Sequence, residues 1–238
     1  MKIKSFESYE EMSNYAKDII IESIHIKNDL LFCGATGDSP TGTYLALTEE
    51  YRKHPPLFSE FQLIKLDEWG GIANGGAGTC ESYLQNHLIK PLNIPKKRYI
   101  SFPSNSNDAN RECKLVSDRL EKEGPIDVCI LGLGRNGHIA FNEPADFLNP
   151  CCHIADLTPS SLQHNMTLAM NTQPTYGLTL GMADILSSKK IILLVTGNNK
   201  NKIFKQFLSQ RITTQLPASF LWLHPDTICL IDKQTIEE

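Results

Sequence analysis

An α/β fold on a mostly parallel sheet is predicted by this sequence, from three observations. Short runs of β-prone apolar residues alternate with stretches of helical periodicity. The runs are apolar on consecutive residues, as strands covered on both faces are. Several of them empty into glycine-bearing turns with helix-start signals close behind, the pattern of βα units. The implied architecture is a Rossmann-like three-layer α/β/α sandwich, one domain over residues 1–238.

The elements follow in order. Tyr9, Met12, Tyr15, Ala16, Ile19 and Ile20 have helical spacing, and Leu30-Leu31-Phe32-Cys33 reads as a buried strand. The next helix is expected from about Pro40 into Tyr51. Phe61 to Leu66 is a strand, the segment after Thr79 a helix, and Asn107 to Glu123 another with polar capping candidates at its start. Ile126 to Leu131 supplies the central strand. Beyond it lie a short strand near Gly177 to Leu180, a strong one at Ile191 to Val195, a helix from Asn198, and a last strand at Thr227 to Ile231. In such sheets a ligand sits beyond the carboxyl ends of the strands. Four exits should therefore converge: Gly34 to Ser39, Asp67 to Gly71, Gly132 to Glu143, and Thr196 to Lys200.

Composition narrows the function. The formal charge is −4, with 41% hydrophobic and 21% charged residues and no linker, repeat or low-complexity run. That balance argues against a nucleic-acid binder, and no apolar run is long enough to span a bilayer, so neither nucleic acid nor membrane is an expected partner. The start, Met1 to Glu7, lacks the apolar core of a signal peptide. Seven cysteines, an odd number without such a signal, point to reduced thiols and a cytoplasmic setting. No C-x-x-C pair accompanies Cys151-Cys152-His153, so no metal is expected there. A phosphorylated small molecule would need local cations on so acidic a chain. The sequence leaves a homo-oligomer open.

The most informative segment is Val128-Cys129-Ile130-Leu131-Gly132-Leu133-Gly134-Arg135-Asn136-Gly137-His138-Ile139-Ala140-Phe141-Asn142-Glu143-Pro144. A buried strand empties into a glycine-rich turn carrying a histidine and a glutamate, which makes His138 and Glu143 catalytic candidates. Gly132-x-Gly134-x-x-Gly137 also matches a dinucleotide fingerprint, but that reading needs a helix opening at the third glycine. Phe141-Asn142-Glu143-Pro144 follows instead, and a residue before proline avoids helical geometry. Gly34-Ala35-Thr36-Gly37-Asp38-Ser39-Pro40-Thr41 combines a permissive backbone, hydroxyls and a helix start, either an anion cradle or an ordinary capped turn. It is not a Walker A loop, since no Gly-Lys-Ser/Thr follows. Asp67 and Glu68 are adjacent on a strand end, so they point to opposite faces and at most one meets a ligand.

Gly137-His138-Ile139-Ala140-Phe141-Asn142-Glu143-Pro144 resembles the signature of the glucosamine-6-phosphate deaminase family, whose wider superfamily includes the 6-phosphogluconolactonases. Ala35 to Pro40, Lys65 to Trp69, Gly78 to Glu81, Leu194 to Gly197 and Pro217 to His224 resemble, in the same order, its galactosamine-6-phosphate isomerase (deaminating) branch. The resemblance covers nearly the whole chain. It implies a deaminating aldose–ketose isomerase turning galactosamine 6-phosphate into tagatose 6-phosphate and ammonia by hydrolase-type deamination. The glucosamine enzyme and the lactonase are the alternatives. No cofactor is implied, and the partner is a small amino-sugar phosphate.

Roles follow from the same resemblance. Asp67 is the base moving a proton between C2 and C1, His138 opens the ring, and Glu143 holds and polarises the imidazole. Asn136 stands where the glucosamine enzymes carry an aspartate, a neutral amide that can hold the ring but not stabilise imidazolium. Thr36, Gly37, Ser39 and Lys200 bind phosphate; Lys202 competes with Lys200, and Asp38 is a departure whose carboxylate should point away. Residues 151–177 should lie over the site as a lid, with His164 either a substrate contact or a surface residue. The phosphate-binding arginine of the glucosamine enzymes has no clear counterpart in that region.

Overall fold

Strands that are apolar on both sides must be sandwiched, and sheet order then decides where a ligand can reach the backbone. The computed structural model describes residues 1–162, 165–168, 170–197 and 200–235. Along them run β1 (Lys2–Phe6), α1 (Tyr9–Ile26), β2 (Leu31–Gly34), α2 (Asp38–Lys53), β3 (Gln62–Lys65), β4 (Asp67–Gly70), α3 (Cys80–Leu84) and β5 (Tyr99–Ile100). Then come α4 (Ala109–Glu123), β6 (Val128–Gly132), β7 (His153–Ala155), α5 (Pro159–Leu162), α6 (Asn165–Leu168) and β8 (Tyr176–Thr179). The last are α7 (Met182–Leu186), β9 (Lys190–Val195), α8 (Asn201–Leu208) and β10 (Thr227–Asp232).

Seven strands form one sheet in the order β1-β10-β9-β6-β2-β3-β5, and every pairing in it is parallel. This is the Rossmann-like α/β arrangement expected, with β6 in the middle. From β2 the chain steps outward to β3 and β5; from β6 it steps the other way to β9 and β10. The order reverses between β2 and β6, so the loops leaving these two strands part and open a crevice at their carboxyl ends.

The apolar runs do the holding. Val128 to Leu131 of β6 and Ile191 to Val195 of β9 are fully buried, each large side chain contributing about 1.5–3 kcal/mol of burial. Two of the anticipated helix starts carry side-chain caps: Thr79 accepts from the Ser82 N–H at 3.0 Å, and Asp108 from the Arg111 N–H at 3.0 Å. Helix α2 starts at Asp38, before the expected Pro40, because Gly37 takes a φ of 105° at its N-cap.

One departure bears on the site. Asp67 to Gly71 is expected as a strand exit, yet Asp67–Gly70 is itself a strand, in a second sheet of order β4-β8-β7 with antiparallel pairings. The chain passes from β3 to β4 without turning and changes partners at Leu66. There the Leu66 N–H still donates to Gly34 O at 3.2 Å, while Leu66 O already accepts from the Leu180 N–H at 3.0 Å. Asp67 is the first residue on the new ladder, opposite Thr179.

Candidate active site

A cavity of about 470 Å³ occupies the crevice between β2 and β6, and all four expected exits line it. They contribute Thr36, Gly37 and Ser39 after β2, Asp67 at the start of β4, His138 after β6, and Lys200 after β9.

Asp67 and Glu68 divide as strand alternation requires. Asp67 lines the cavity, whereas Glu68 is fully buried behind it. Glu68 Oε1 accepts from the Trp69 and Cys80 N–H groups at 2.8 and 2.9 Å, and Oε2 from the Glu81 N–H and Lys65 Nζ at 2.8 and 2.7 Å. Lys65 also donates to Glu81 at 2.8 Å, so a buried cation and two carboxylates tie β3, β4 and the start of α3 together. Removing one member of such a buried set costs about 3–5 kcal/mol. Burial pushes the Asp67 carboxyl up, reinforced by the Glu68 charge; Cys80 and Lys65 restrain the rise, and it reaches about 7. A base poised near neutrality is suited to proton transfer at cellular pH.

His138 and Glu143 are brought together by a tight reversal. Ile139 and Asn142 bridge across it, with the Asn142 N–H donating to Ile139 O at 3.0 Å and Ala140 taking a φ of 53°. The turn leaves His138 Nδ1 3.3 Å from Glu143 Oε2, an ion-pair distance outside good hydrogen-bond geometry. Gly134 and Gly137 permit the crowding. A Cβ at Gly134 would lie 2.3 Å from the His138 ring, and one at Gly137 2.2 Å from Leu216. No helix opens at Gly137, so the dinucleotide reading of this segment does not hold.

Asn136 departs from its expected part. Its amide does not hold the imidazole; Nδ2 donates to Glu143 Oε2 at 2.7 Å, and Oδ1 accepts from the His138 backbone N–H at 3.2 Å. A short side chain two residues before the histidine reaches the backbone of this turn more readily than the ring, and so acts through Glu143. The other Glu143 oxygen, Oε1, accepts from Ser161 Oγ. Burial alone would raise the Glu143 carboxyl, but His138, Ser161 and Asn136 together outweigh it and hold it at about 2. Glu143 is therefore an anion facing the imidazole.

Hydroxyls and cations line the same cavity. Ser39 Oγ, at the start of α2, and Thr196 Oγ1, at the end of β9, lie 2.6 Å apart. Lys200 precedes α8 and donates to Leu133 O. Burial lowers its ammonium, helped by the charge of Arg135, to about 8. Arg135 and Lys200 both line the cavity, and neither forms an ion pair among the described residues.

Arg135, Ser161, Thr196 and Cys80 also line the cavity, and the sequence assigns none of them a role of its own. Arg135 sits inside the glycine-rich segment and could have been found as the cation in a turn of an acidic chain. Ser161 carried no local signal. Of the segment over 151–177, Ser161 and Met166 reach the cavity; His164 lies outside the described residues. Among those residues no three His, Cys, Asp or Glu side chains form a metal-holding group, and Cys151 and Cys152 are free thiols. No helix among them is long and apolar enough to cross a membrane.

Such a cavity, with a near-neutral carboxyl, a carboxylate-backed imidazole, two cations and several hydroxyls at a parallel sheet's switch point, holds the groups of an acid–base enzyme site. The comparisons give its family. A profile described as glucosamine-6-phosphate isomerases/6-phosphogluconolactonase matches residues 8–229, and the chain belongs to that family. The "Putative deaminase AgaI" of Escherichia coli K12 is 38% identical over 230 residues, 97% of this chain and 91% of that protein. The glucosamine-6-phosphate deaminase of Geobacillus sp. WCH70 is 34% identical, covering 99% of this chain and 95% of its own. A solved monomeric glucosamine-6-phosphate deaminase superposes with a TM-score of 0.93 at 32% identity, covering 98% of both chains. The 6-phosphogluconolactonase of Trypanosoma cruzi shares the fold, with a TM-score of 0.78 at 19% identity over 98% of this chain and 94% of that one.

Proposed function

We propose that this enzyme is a deaminating aldose–ketose isomerase that converts galactosamine 6-phosphate and water into tagatose 6-phosphate and ammonia. The observation that carries this reading is Asp67, a buried carboxyl near neutrality in the same cavity as His138, whose ring is backed by Glu143 outside the cavity lining. A lactone hydrolase needs no such base, because no carbon-bound proton is moved in its reaction.

In this mechanism the phosphate rests at the cationic end on Thr36, Gly37, Ser39 and Lys200, with Arg135 and Thr196 added to the set. His138 carries a proton to the ring oxygen as the sugar opens, and the Glu143 anion steadies the imidazole while it does so. Asp67 takes the C2 proton of the open-chain aldehyde, leaving an enolamine with a hydroxyl on C1. Return of a proton to C1 gives an imine at C2. Water adds there and ammonia leaves, so one water is consumed. Ser161 and Met166, from the segment expected as a lid, line the cavity in which these steps take place.

The galacto preference is supported by the resemblance of the chain's motifs to that branch and by its two departures at the site, Asn136 and Asp38. A second reading is favoured by the named relatives: glucosamine 6-phosphate as substrate and fructose 6-phosphate as product. The epimers differ only at C4, and a polar group left unpaired by the wrong one costs about 1–3 kcal/mol, roughly ten- to a hundredfold in rate. Ammonia release measured with both epimers in parallel decides between them. A higher kcat/KM for the galacto epimer is expected; equal values or a gluco preference would overturn the substrate assignment and leave the deaminase chemistry intact.

A further inference from the structure

Cys80 joins the turn after β2 to the carboxyl of β4. Thr36 Oγ1 donates to Cys80 Sγ at 3.4 Å, and Cys80 Sγ in turn donates to Asp67 Oδ1 at 3.7 Å. The backbone beneath the thiol is fixed, since the Cys80 N–H is held by Glu68 Oε1 at 2.9 Å. Cys80 is 1% exposed. Burial pushes its thiol far above the ordinary range, reinforced by the charges of Glu68 and Asp67, so it stays protonated as a donor and is no nucleophile.

We propose that Cys80 is a positioning residue that sets the base strength of Asp67, and that the chain Thr36–Cys80–Asp67 makes that strength depend on occupation of the cavity's phosphate end. This rests on the reading of Asp67 as the base. The titratable groups acting on Asp67 are Glu68 and Lys65 from its own extended run and Cys80 from α3, while Cys33 on β2 also senses its charge. Of these, Glu68 and Lys65 are locked into the buried ion set, which leaves Cys80 as the member whose hydrogen can change acceptor.

Counting hydrogens gives the direction. The Thr36 hydroxyl has one hydrogen, and here it points at sulfur. Once Thr36 turns that hydrogen to a phosphate oxygen, its own oxygen can accept. The Cys80 S–H then has two acceptors, Thr36 Oγ1 and Asp67 Oδ1. A thiol hydrogen drawn to Thr36 leaves the Asp67 carboxylate with one donor fewer, and a carboxylate that loses a donor is a stronger base. Binding the far end of the substrate thereby sharpens the group that attacks its C2 proton.

The test is the titration of the Asp67 carboxyl, read by NMR without substrate and as the acidic limb of kcat/KM against pH. Cys80→Ala should move it upward by about half a unit to one unit, the range for one lost hydrogen bond, and Cys80→Ser should place it below wild type because a hydroxyl donates more strongly. Saturating inorganic phosphate should raise it in wild type and raise it less in Cys80→Ala, where only the charge of the anion acts. Coincident titrations in the three proteins would overturn the proposal; so would a phosphate response as large in Cys80→Ala as in wild type. If Cys80→Ala does not fold, Cys80→Ser against wild type decides alone. Normal turnover by Asp67→Asn would instead overturn the reading of the base, a separate result.

Discussion

Glu143 Oε1 accepts a hydrogen bond from Ser161 Oγ, which ties the partner of His138 to a helix that the chain reaches only after building β7. The carboxylate is thus held from both sides, by Asn136 within the turn and by Ser161 across the cavity mouth. Ser161→Ala is expected to lower kcat about two- to tenfold, the value of one hydrogen bond, with Ser161→Thr restoring it. Steady-state kinetics on the three proteins check this, and an unchanged kcat would remove Ser161 from the mechanism.

Loss of the carboxylate itself should be graver. Glu143→Gln keeps the shape of the side chain but removes the anion facing the imidazole, and kcat should fall about a hundredfold or more, the lower range for disabling general acid–base catalysis. The sugar-phosphate KM should change little, because Glu143 does not line the cavity.

Asp67→Asn is expected to leave binding intact while lowering turnover at least about a hundredfold. Exchange of the C2 hydrogen with solvent, followed by NMR, isolates the step. Exchange at the normal rate would show that another group takes the proton.

The same residue should cost the fold stability as the pH rises. The Asp67 carboxyl stands near 7 in the folded chain against 3.8 for a solvated aspartate, so the folded state holds its proton longer. Below about 4 both states are protonated and no penalty exists. Between there and about 7 the unfolded chain binds fewer protons, stability falls as pH rises, and above 7 the penalty is complete. Asp67→Asn should therefore melt higher than wild type at pH 8, with the gain shrinking towards pH 4. Melting curves across that range would refute this if the gain were independent of pH.

Arg135 and Lys200 present two cations to one end of the cavity without an ion-pair partner among the described residues, the arrangement a dianion would satisfy. Arg135→Ala should raise KM for the sugar phosphate about ten- to a hundredfold, the range for a charge-assisted hydrogen bond of about 1.5–3 kcal/mol, with less effect on kcat. Arg135→Lys should recover part of the loss, since a point charge replaces a planar fork.

What the sequence by itself determined is local. The consecutive apolar residues of β2, β6 and β9 can only be strands covered on both faces, and each exit carries glycines that free the backbone where a ligand must approach. His138, Glu143, Asp67 and the Thr36 turn stand within those exits and were legible there. What only the tertiary structure decided is non-local. β1, exposed along most of its length and polar at alternate positions, becomes a strand because the β10 edge offers it a parallel ladder. Asp67–Gly70 looks like a turn until β8 supplies a second sheet, because strand identity there comes from a partner more than a hundred residues away. Ser161 on Glu143, Cys80 on Asp67 and the charge of Arg135 on Lys200 join segments with no shared periodicity. No sequence pattern encodes them, since each depends on the sheet order that brings distant strand ends to one crevice.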